Sequence, residues 1–190
     1  LLRPIPRLSE QYRTGNFKAA RASPHGDELR ELTIGIFGFG RIGSRVGRIC
    51  AAGIGARVLF CDIRNIPGPP FPVERVEFDG LLRASDFLTI HTPLTAETRG
   101  LFDATVLAAM RPTARLINTA RGAIVDTTAL VDALQSMRLA GAALDVVDPE
   151  PLPADHALFK MPQAILTPHI AARSFSGYRR MCDVVDAVLL

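Results

Sequence analysis

Leu32-Thr33-Ile34-Gly35-Ile36-Phe37-Gly38-Phe39-Gly40-Arg41-Ile42-Gly43 decides the fold of this chain. The first six residues are an apolar run of strand length. The next six are a Gly-x-Gly-x-x-Gly turn, and Ile42, Val46 and Ile49 then recur at the helical spacings of four and three. Strand, glycine turn and helix in that order open a dinucleotide-binding βαβ unit. Gly38 permits the tight turn, Gly40 lets the backbone approach a pyrophosphate, and Gly43 lets the helix pack close to the strand. Phosphates then rest on the amides and positive end of the helix that starts near Arg41 and Ile42. Such a turn alone also occurs in other folds, methyltransferases among them, so its surroundings have to carry the reading.

Nineteen residues after Gly43, the apolar stretch Ala56-Arg57-Val58-Leu59-Phe60-Cys61 ends at Asp62. A carboxylate at the end of the second parallel strand accepts hydrogen bonds from the adenosine ribose hydroxyls and repels a 2′-phosphate, which favours NAD over NADP. Arg64, two residues on, is the complication, because an arginine there accommodates that phosphate.

The 190 residues suffice for one sizeable domain, on the usual scale of ~100 to 200 residues. With 48% hydrophobic and 22% charged residues, the composition is that of a globular protein in water. No apolar stretch approaches the ~20 residues of a membrane span, and the first residues lack a signal-peptide apolar region, so the expectation is a cytoplasmic protein. A net charge of +3 is too small and too scattered for nucleic-acid binding. Arg41, Arg45 and Arg48 read as a solvated face. Cys50, Cys61 and Cys182 are odd in number, lack CxxC spacing and sit in or beside apolar runs, which predicts reduced, buried thiols and no metal site.

Residues 1–31 are arginine-rich, carry Pro4, Pro6 and Pro24, and read as a peripheral arm with one short helix. Strand-length runs recur at 32–37, 56–61, 86–91, 114–118, 140–144 and 164–166. A helix is predicted over 126–137, with Asp126 as cap and Leu130, Leu134 and Met137 on one face; another follows Asp103 and stops at Pro112. Alternating strands and helices imply right-handed parallel crossovers, hence a Rossmann-type doubly wound α/β sheet. The expected division is an arm over 1–31, a nucleotide-binding domain over 32–172 and a C-terminal helix over 173–190.

Ligands of such sheets bind outside the carboxyl ends of the strands. There the chain places His91-Thr92-Pro93-Leu94, Asn118-Thr119-Ala120-Arg121-Gly122, Asp145-Val146 and Thr167-Pro168-His169-Ile170. Arg121 offers a planar fork for a carboxylate, His169 exchanges a proton near neutrality, and Glu150 is able to orient that histidine and favour its charged form. Together they describe a site for an anionic oxo or hydroxy acid beside a nicotinamide. Each has a plainer reading: an arginine before glycine is commonly a solvated loop residue, and Glu150 between two prolines could decorate a turn. His25 and His156 read as surface residues, and His91 as a packing or backbone-orienting group.

These motifs, in order and at these spacings from about Leu29 to Ala172, resemble the nucleotide-binding domain of the D-isomer-specific 2-hydroxyacid dehydrogenases, a family that includes phosphoglycerate dehydrogenase and the glyoxylate and hydroxypyruvate reductases. The resemblance implies NAD as cofactor and hydride transfer between it and a D-2-hydroxy or 2-oxo acid. It implies that Arg121 binds the substrate carboxylate, that His169 is the acid/base with Glu150 paired to it, and that Asp145 lies near the nicotinamide. Thr92, Pro93, Thr119 and Ala120 would line the cofactor site.

The family's members carry a second, smaller domain built from segments on both sides of this one, and neither segment is fully present here. Phe17 stands where the family often has tryptophan, and the polar Arg173-Ser174 follows Ala172. Flanking segments build a two-fold dimer in this family, so the apolar Leu1, Leu2, Ile5, Leu8, Tyr12 and Phe17 of the arm predict a homodimer. The alternative function is an NAD-responsive, non-catalytic interaction protein of the corepressor kind. Formate dehydrogenases resemble the family but normally have glutamine where Glu150 stands, which disfavours that activity.

Overall fold

All six apolar runs form strands, each within a residue of its expected bounds and all parallel. The strands are β1 (Thr33–Phe37), β2 (Arg57–Cys61), β3 (Glu74–Arg75), β4 (Phe87–Ile90), β5 (Arg115–Asn118), β6 (Gly141–Leu144) and β7 (Ala164–Leu166). In this computed structural model, which describes residues 1–2, 5–23 and 26–179, they make one sheet in the order β3-β2-β1-β4-β5-β6-β7. The two-residue β3 was not legible, since Glu74 and Arg75 are exposed and lack an apolar pattern. Strand order reverses between β1 and β4, where Ile34 lies beside both Val58 and Phe87. The crevice above that reversal is where such sheets bind ligands.

The helices are α1 (Ile5–Arg13), α2 (Phe17–Arg21), α3 (Gly43–Arg48), α4 (Phe78–Ala84), α5 (Ala104–Ala109) and α6 (Thr127–Gln135). The two expected caps form: Asp103 accepts from the Val106 amide, and Asp126 from the Thr128 and Ala129 amides. Two apolar clusters cover the faces of the sheet. One gathers Leu81, Leu82, Leu107, Leu130 and Leu134 of α4, α5 and α6 over Leu88, Ile90 and Leu116. The other holds Ile34, Ile36, Phe39, Val58, Phe60 and Phe87. Each such buried side chain contributes about 1.5–3 kcal/mol relative to exposure.

Several expectations are corrected. Leu130 and Leu134 are buried as read, but Met137 lies beyond the end of α6 with φ 55° and is 79% exposed. Ile42 and Ile49 do not face the sheet; they are 63% and 58% exposed. Gly43 and Gly47 carry the buried side of α3 instead. A Cβ on Gly43 would strike the Gly38 carbonyl oxygen, and one on Gly47 would lie 2.8 Å from the Phe39 ring. The helix approaches too closely for side chains there, so its isoleucines turn outward. Past Arg48 it continues as a π-helix over Ile49–Ile54 and stops at Gly55 with φ 79°.

The arm forms two helices, not one. Leu1, Leu2 and Leu29 pack against the second cluster, while Tyr12 and Phe17 remain exposed with ring centroids 5.6 Å apart. Cys50 and Cys61 are free thiols as expected but only half-buried, and burial pushes both thiol pKa values up. Helix is present over 175–179; the remainder of the expected C-terminal helix, with Cys182, lies outside the described residues, as do Pro4, Pro24 and His25. No helix among the described residues is long and apolar enough to cross a membrane.

Candidate active site

The glycine turn is held by interlocking backbone. Gly38 takes φ +90°, and a Cβ there would lie 2.8–2.9 Å from the His91 carbonyl and the Thr92 amide. That close approach seats Thr92 beside the turn. Gly40 is different: its missing side chain leaves open space, with Arg64 Nη2 the nearest atom at 3.5 Å. Phe39, between the two glycines, is buried and stacks on Phe60 with centroids 4.0 Å apart, which anchors the turn from beneath. Arg41 and Ile42 are exposed on its outer side, as are Arg45 and Arg48 beyond.

Asp62 stands at the end of β2, with its side chain 7% exposed. Its Oδ2 accepts from the Phe39 amide at 2.7 Å and its Oδ1 from the Arg64 amide at 2.8 Å. The Arg64 guanidinium forks onto both oxygens, each at 3.1 Å. Burial raises the carboxyl pKa, but the Arg64 side chain and the two amides outweigh it and hold the group below the usual carboxylate range. The acid expected to face a ribose is here tied to the glycine turn and to Arg64.

At the end of β4, His91 donates its amide to Phe37 at 2.7 Å, and its Nε2 lies 3.0 Å from the Thr89 hydroxyl. Burial lowers its pKa, so the imidazole is neutral at pH 7, in keeping with a packing role. The Pro93 carbonyl accepts from the Thr98 hydroxyl at 2.8 Å, which closes the following loop. After β5, the buried Asn118 braces its own turn: its Nδ2 donates to the Arg121 carbonyl at 2.9 Å, and its Oδ1 accepts from the Ala120 amide at 3.0 Å. A Cβ on Gly122 would strike the Val147 carbonyl, so the loop after β6 lies hard against this one. Arg121 itself is exposed, and the only hydrogen bond of its side chain among the described residues is to the Ala120 carbonyl at 2.7 Å.

The acid/base candidates meet at the end of β7. His169 Nδ1 lies 2.8 Å from Glu150 Oε1, with the side chains 53% and 44% exposed. His169 has φ 52°, in the left-handed region that non-glycine residues seldom adopt. Asp145 holds that turn. Its Oδ1 accepts from the Thr167 hydroxyl at 2.6 Å and the Ile170 amide at 2.9 Å, its Oδ2 from the Ala171 amide at 2.8 Å, and its carbonyl from the His169 amide at 2.8 Å. Burial raises the Asp145 pKa, but the Thr167 hydroxyl, the two amides and nearby His169 prevail and depress it. Thr119 lines a cleft of about 310 Å³ with Asp145, Thr167, Ile170 and Ala171.

Arg121, Asp145 and His169 thus follow three adjacent strands, spaced about 4.8 Å apart. The structure pairs His169 with Glu150 and places Arg121 one loop away, without an ion pair to either. Sequence reasoning passed over Asn118 and Thr167 as site residues, although an Asn two residues before a turn amide is the usual sign of a side chain capping its own loop. A larger cavity, about 660 Å³, lies elsewhere, lined by Leu1, Leu2, Ile5, Leu29, Ile34 and Phe87. The glycine turn fits a dinucleotide: Gly40 leaves its outer side open, and its inner side is closed by His91 and Phe39.

Comparison with known proteins agrees. The family described as D-isomer specific 2-hydroxyacid dehydrogenase, NAD binding domain, matches residues 1–171. A glyoxylate reductase from Thermofilum pendens is 43% identical over 168 residues, which are 87% of this chain and 49% of that protein. The NAD-dependent formate dehydrogenase from Staphylococcus aureus, solved in complex with NAD, superposes with a TM-score of 0.89 at 40% identity, covering 100% of this chain and 56% of that one. A D-lactate dehydrogenase from Aquifex aeolicus, solved with NAD and lactic acid, gives 0.87 at 30% identity, covering 100% and 61%. The chain spans about half the length of the curated glyoxylate reductases it matches. It belongs to the D-isomer-specific 2-hydroxyacid dehydrogenase family and carries its NAD-binding domain.

Proposed function

We propose that this chain forms the cofactor-binding half, with the catalytic groups, of an NAD(H)-dependent D-2-hydroxyacid dehydrogenase. The observation that carries the reading is the His169–Glu150 pair, 2.8 Å apart at the mouth of the sheet and open to solvent. A non-catalytic, corepressor-like protein has no need of an exposed acid/base pair on a braced turn. In this reading residues 32–172 are the cofactor domain, 1–31 the arm and 173–190 the start of a connection towards a substrate domain. Gly38, Gly40, Arg41, Ile42 and Gly43 cradle the pyrophosphate. Thr92, Pro93, Thr119 and Ala120 border the nicotinamide, and Asp145 and His169 close the site.

The nicotinamide, when bound, supplies or accepts the hydride. In the reducing direction His169, held through Nδ1 by Glu150, keeps Nε2 for the proton that it gives to the substrate's carbonyl oxygen. Arg121, whose side chain among the described residues is tied only to the Ala120 carbonyl, is free to swing its fork onto the substrate carboxylate, where bidentate geometry fixes C2 and draws charge from the carbonyl. Asp145 holds the turn that aims the imidazole. The substrate is a small 2-oxo acid such as glyoxylate, and the setting is cytoplasmic. Exposed Ile5, Tyr12 and Phe17 on the arm support a homodimer, for which light scattering at the mass of two chains is the test.

Activity is tested with the chain joined to the coding sequence flanking it, by following NADH oxidation with glyoxylate and hydroxypyruvate. His169→Ala is expected to lower kcat by ~10² to 10⁴ while NADH affinity stays in place. Loss of NADH binding in the same variant would make His169 structural and sink the assignment.

A further inference from the structure

We propose that Arg64 makes the adenosine end of this site admit a 2′-phosphate, so that the chain takes NADP(H) as well as NAD(H). The inference rests on the glycine turn being the dinucleotide site and concerns how that site reads the ribose. A carboxylate has about four lone-pair directions, and Asp62 already meets four donors: the amides of Phe39 and Arg64, and Nε and Nη2 of Arg64. No acceptor is left for the ribose hydroxyls while the fork is in place. What the ribose meets is the far side of a guanidinium.

Arg64 has five N–H groups. Two point at Asp62, and the other three, one on Nη2 and two on Nη1, point away into solvent from a side chain that is 60% exposed. Nη2 is also the nearest atom to the open side of Gly40, 3.5 Å from where a Cβ would stand. The guanidinium therefore borders the space left free by the glycine turn and presents unused donors to it. A second cation supports the same loop: Arg75 donates Nη2 to the Asp62 carbonyl at 3.0 Å and Nη1 to Asn65 Oδ1 at 3.2 Å. Two arginines outweigh the one acid, whose charge is already matched by the fork.

The two cofactors then make opposite demands. A 2′-phosphate lands on the outward N–H groups with the Asp62 fork intact, as a charge-assisted and partly bidentate contact. A free ribose has to displace the fork before its hydroxyls reach Asp62, and the carboxylate keeps the Phe39 and Arg64 amides when that happens. Arg64 thus favours the phosphorylated ribose and works against the unphosphorylated one.

The test is titration of this chain with NADH and NADPH, with 2′,5′-ADP as competitor, in wild type and in Arg64→Ala. Wild type is expected to bind both cofactors with dissociation constants within about tenfold of each other. Arg64→Ala is expected to shift their ratio towards NADH by at least about tenfold, and added salt to weaken NADPH more than NADH. Arg64→Met, which keeps the apolar stem, repeats the measurement should the alanine variant melt early. NADH binding without NADPH binding in wild type, or an unchanged ratio in both variants, overturns the proposal and leaves the NAD site standing. Failure of both cofactors to bind overturns the site and the proposal together.

Discussion

The two ends of the sheet's carboxyl edge use acids in opposite ways. At the adenosine end Asp62 is buried and saturated, joining β2 to the glycine turn through the Phe39 amide. At the nicotinamide end the same kind of acid, Asp145, is 6% exposed and takes three donors from the turn that carries His169. Beside it, however, Glu150, His169 and Arg121 are left half-exposed or exposed, each side chain with a single partner among the described residues. In the proposed reading the nicotinamide end separates architecture from chemistry: one carboxylate holds the loop, and other side chains remain loose enough to meet a substrate. At the adenosine end one carboxylate is asked to do both, and Arg64 shares the task.

The largest effect expected from breaking this arrangement is at Asp145. Asp145→Ala removes the acceptor of the Thr167 hydroxyl and of the Ile170 and Ala171 amides, three residues that are themselves exposed, and a lost hydrogen bond of that kind costs about 0.5–1.5 kcal/mol. Even if water recovers part of that, a loss of about 3 kcal/mol is expected, equivalent to about 10 °C in Tm at ~2–4 °C per kcal/mol. Thermal unfolding by circular dichroism checks it; a change under 2 °C, on that same scale, would mean that the turn does not depend on this acid. Gly43→Ala is the counterpart at the adenosine end. Its Cβ would strike the Gly38 carbonyl, so α3 must shift away from β1, with overpacking of about 1–3 kcal/mol and weakened NADH binding.

Acid sharpens the comparison further. Asp62 and Asp145 both have depressed folded-state pKa values, so their contribution is present above the unfolded value near 3.9 and is lost as pH falls through the lower folded values. His91 is depressed for another reason, burial, and acts in a separate window. The unfolded chain takes up its proton first, so stability begins to fall below about pH 6.5 and the fall ends at the lowered folded value. Tm measured from pH 8 to 3 is expected to decline in these two stages. His91→Gln should flatten the upper stage and Asp145→Asn part of the lower one.

The fold was legible because it rests on local signals that agree: strand-length apolar runs, capping aspartates at 103 and 126, and a glycine turn. The failures arise where tertiary approach overrides helical periodicity. Ile42 and Ile49 share a helical face on paper, but the two glycines at 43 and 47 bring the helix so close to β1 that the isoleucines face water. Met137 had the right spacing and lost its place because the helix ended two residues earlier. In the candidate site, residue types at strand ends singled out Arg121, Glu150 and His169 as candidates, and the structure brings Glu150 and His169 into contact. The braces, Asn118 and Thr167, were missed because their work is done through backbone and loop contacts that span as many as 22 residues. The Arg64 fork could be suspected from spacing, but its occupation of every Asp62 acceptor is visible only in three dimensions.

The smallest effect expected is on stability when the proposed catalytic groups themselves are removed, and it divides the two roles most cleanly. Arg121→Ala loses one exposed hydrogen bond to the neighbouring carbonyl, and substitutions at such sites stay within about 0.5 kcal/mol. Glu150→Ala breaks an exposed pair with His169, of a kind worth about 0–1 kcal/mol. Neither change should move Tm by more than about 3 °C, although both should disable turnover once the chain is joined to its flanking sequence. His169→Ala keeps a Cβ and therefore keeps the strain of the left-handed φ of 52°, whereas His169→Gly relieves it and should be as stable as wild type or more stable. If these substitutions unfold the chain as readily as Asp145→Ala, the loose residues are bracing the loop as well. The nicotinamide end would then be organised like the adenosine end, with structure and chemistry carried by the same side chains.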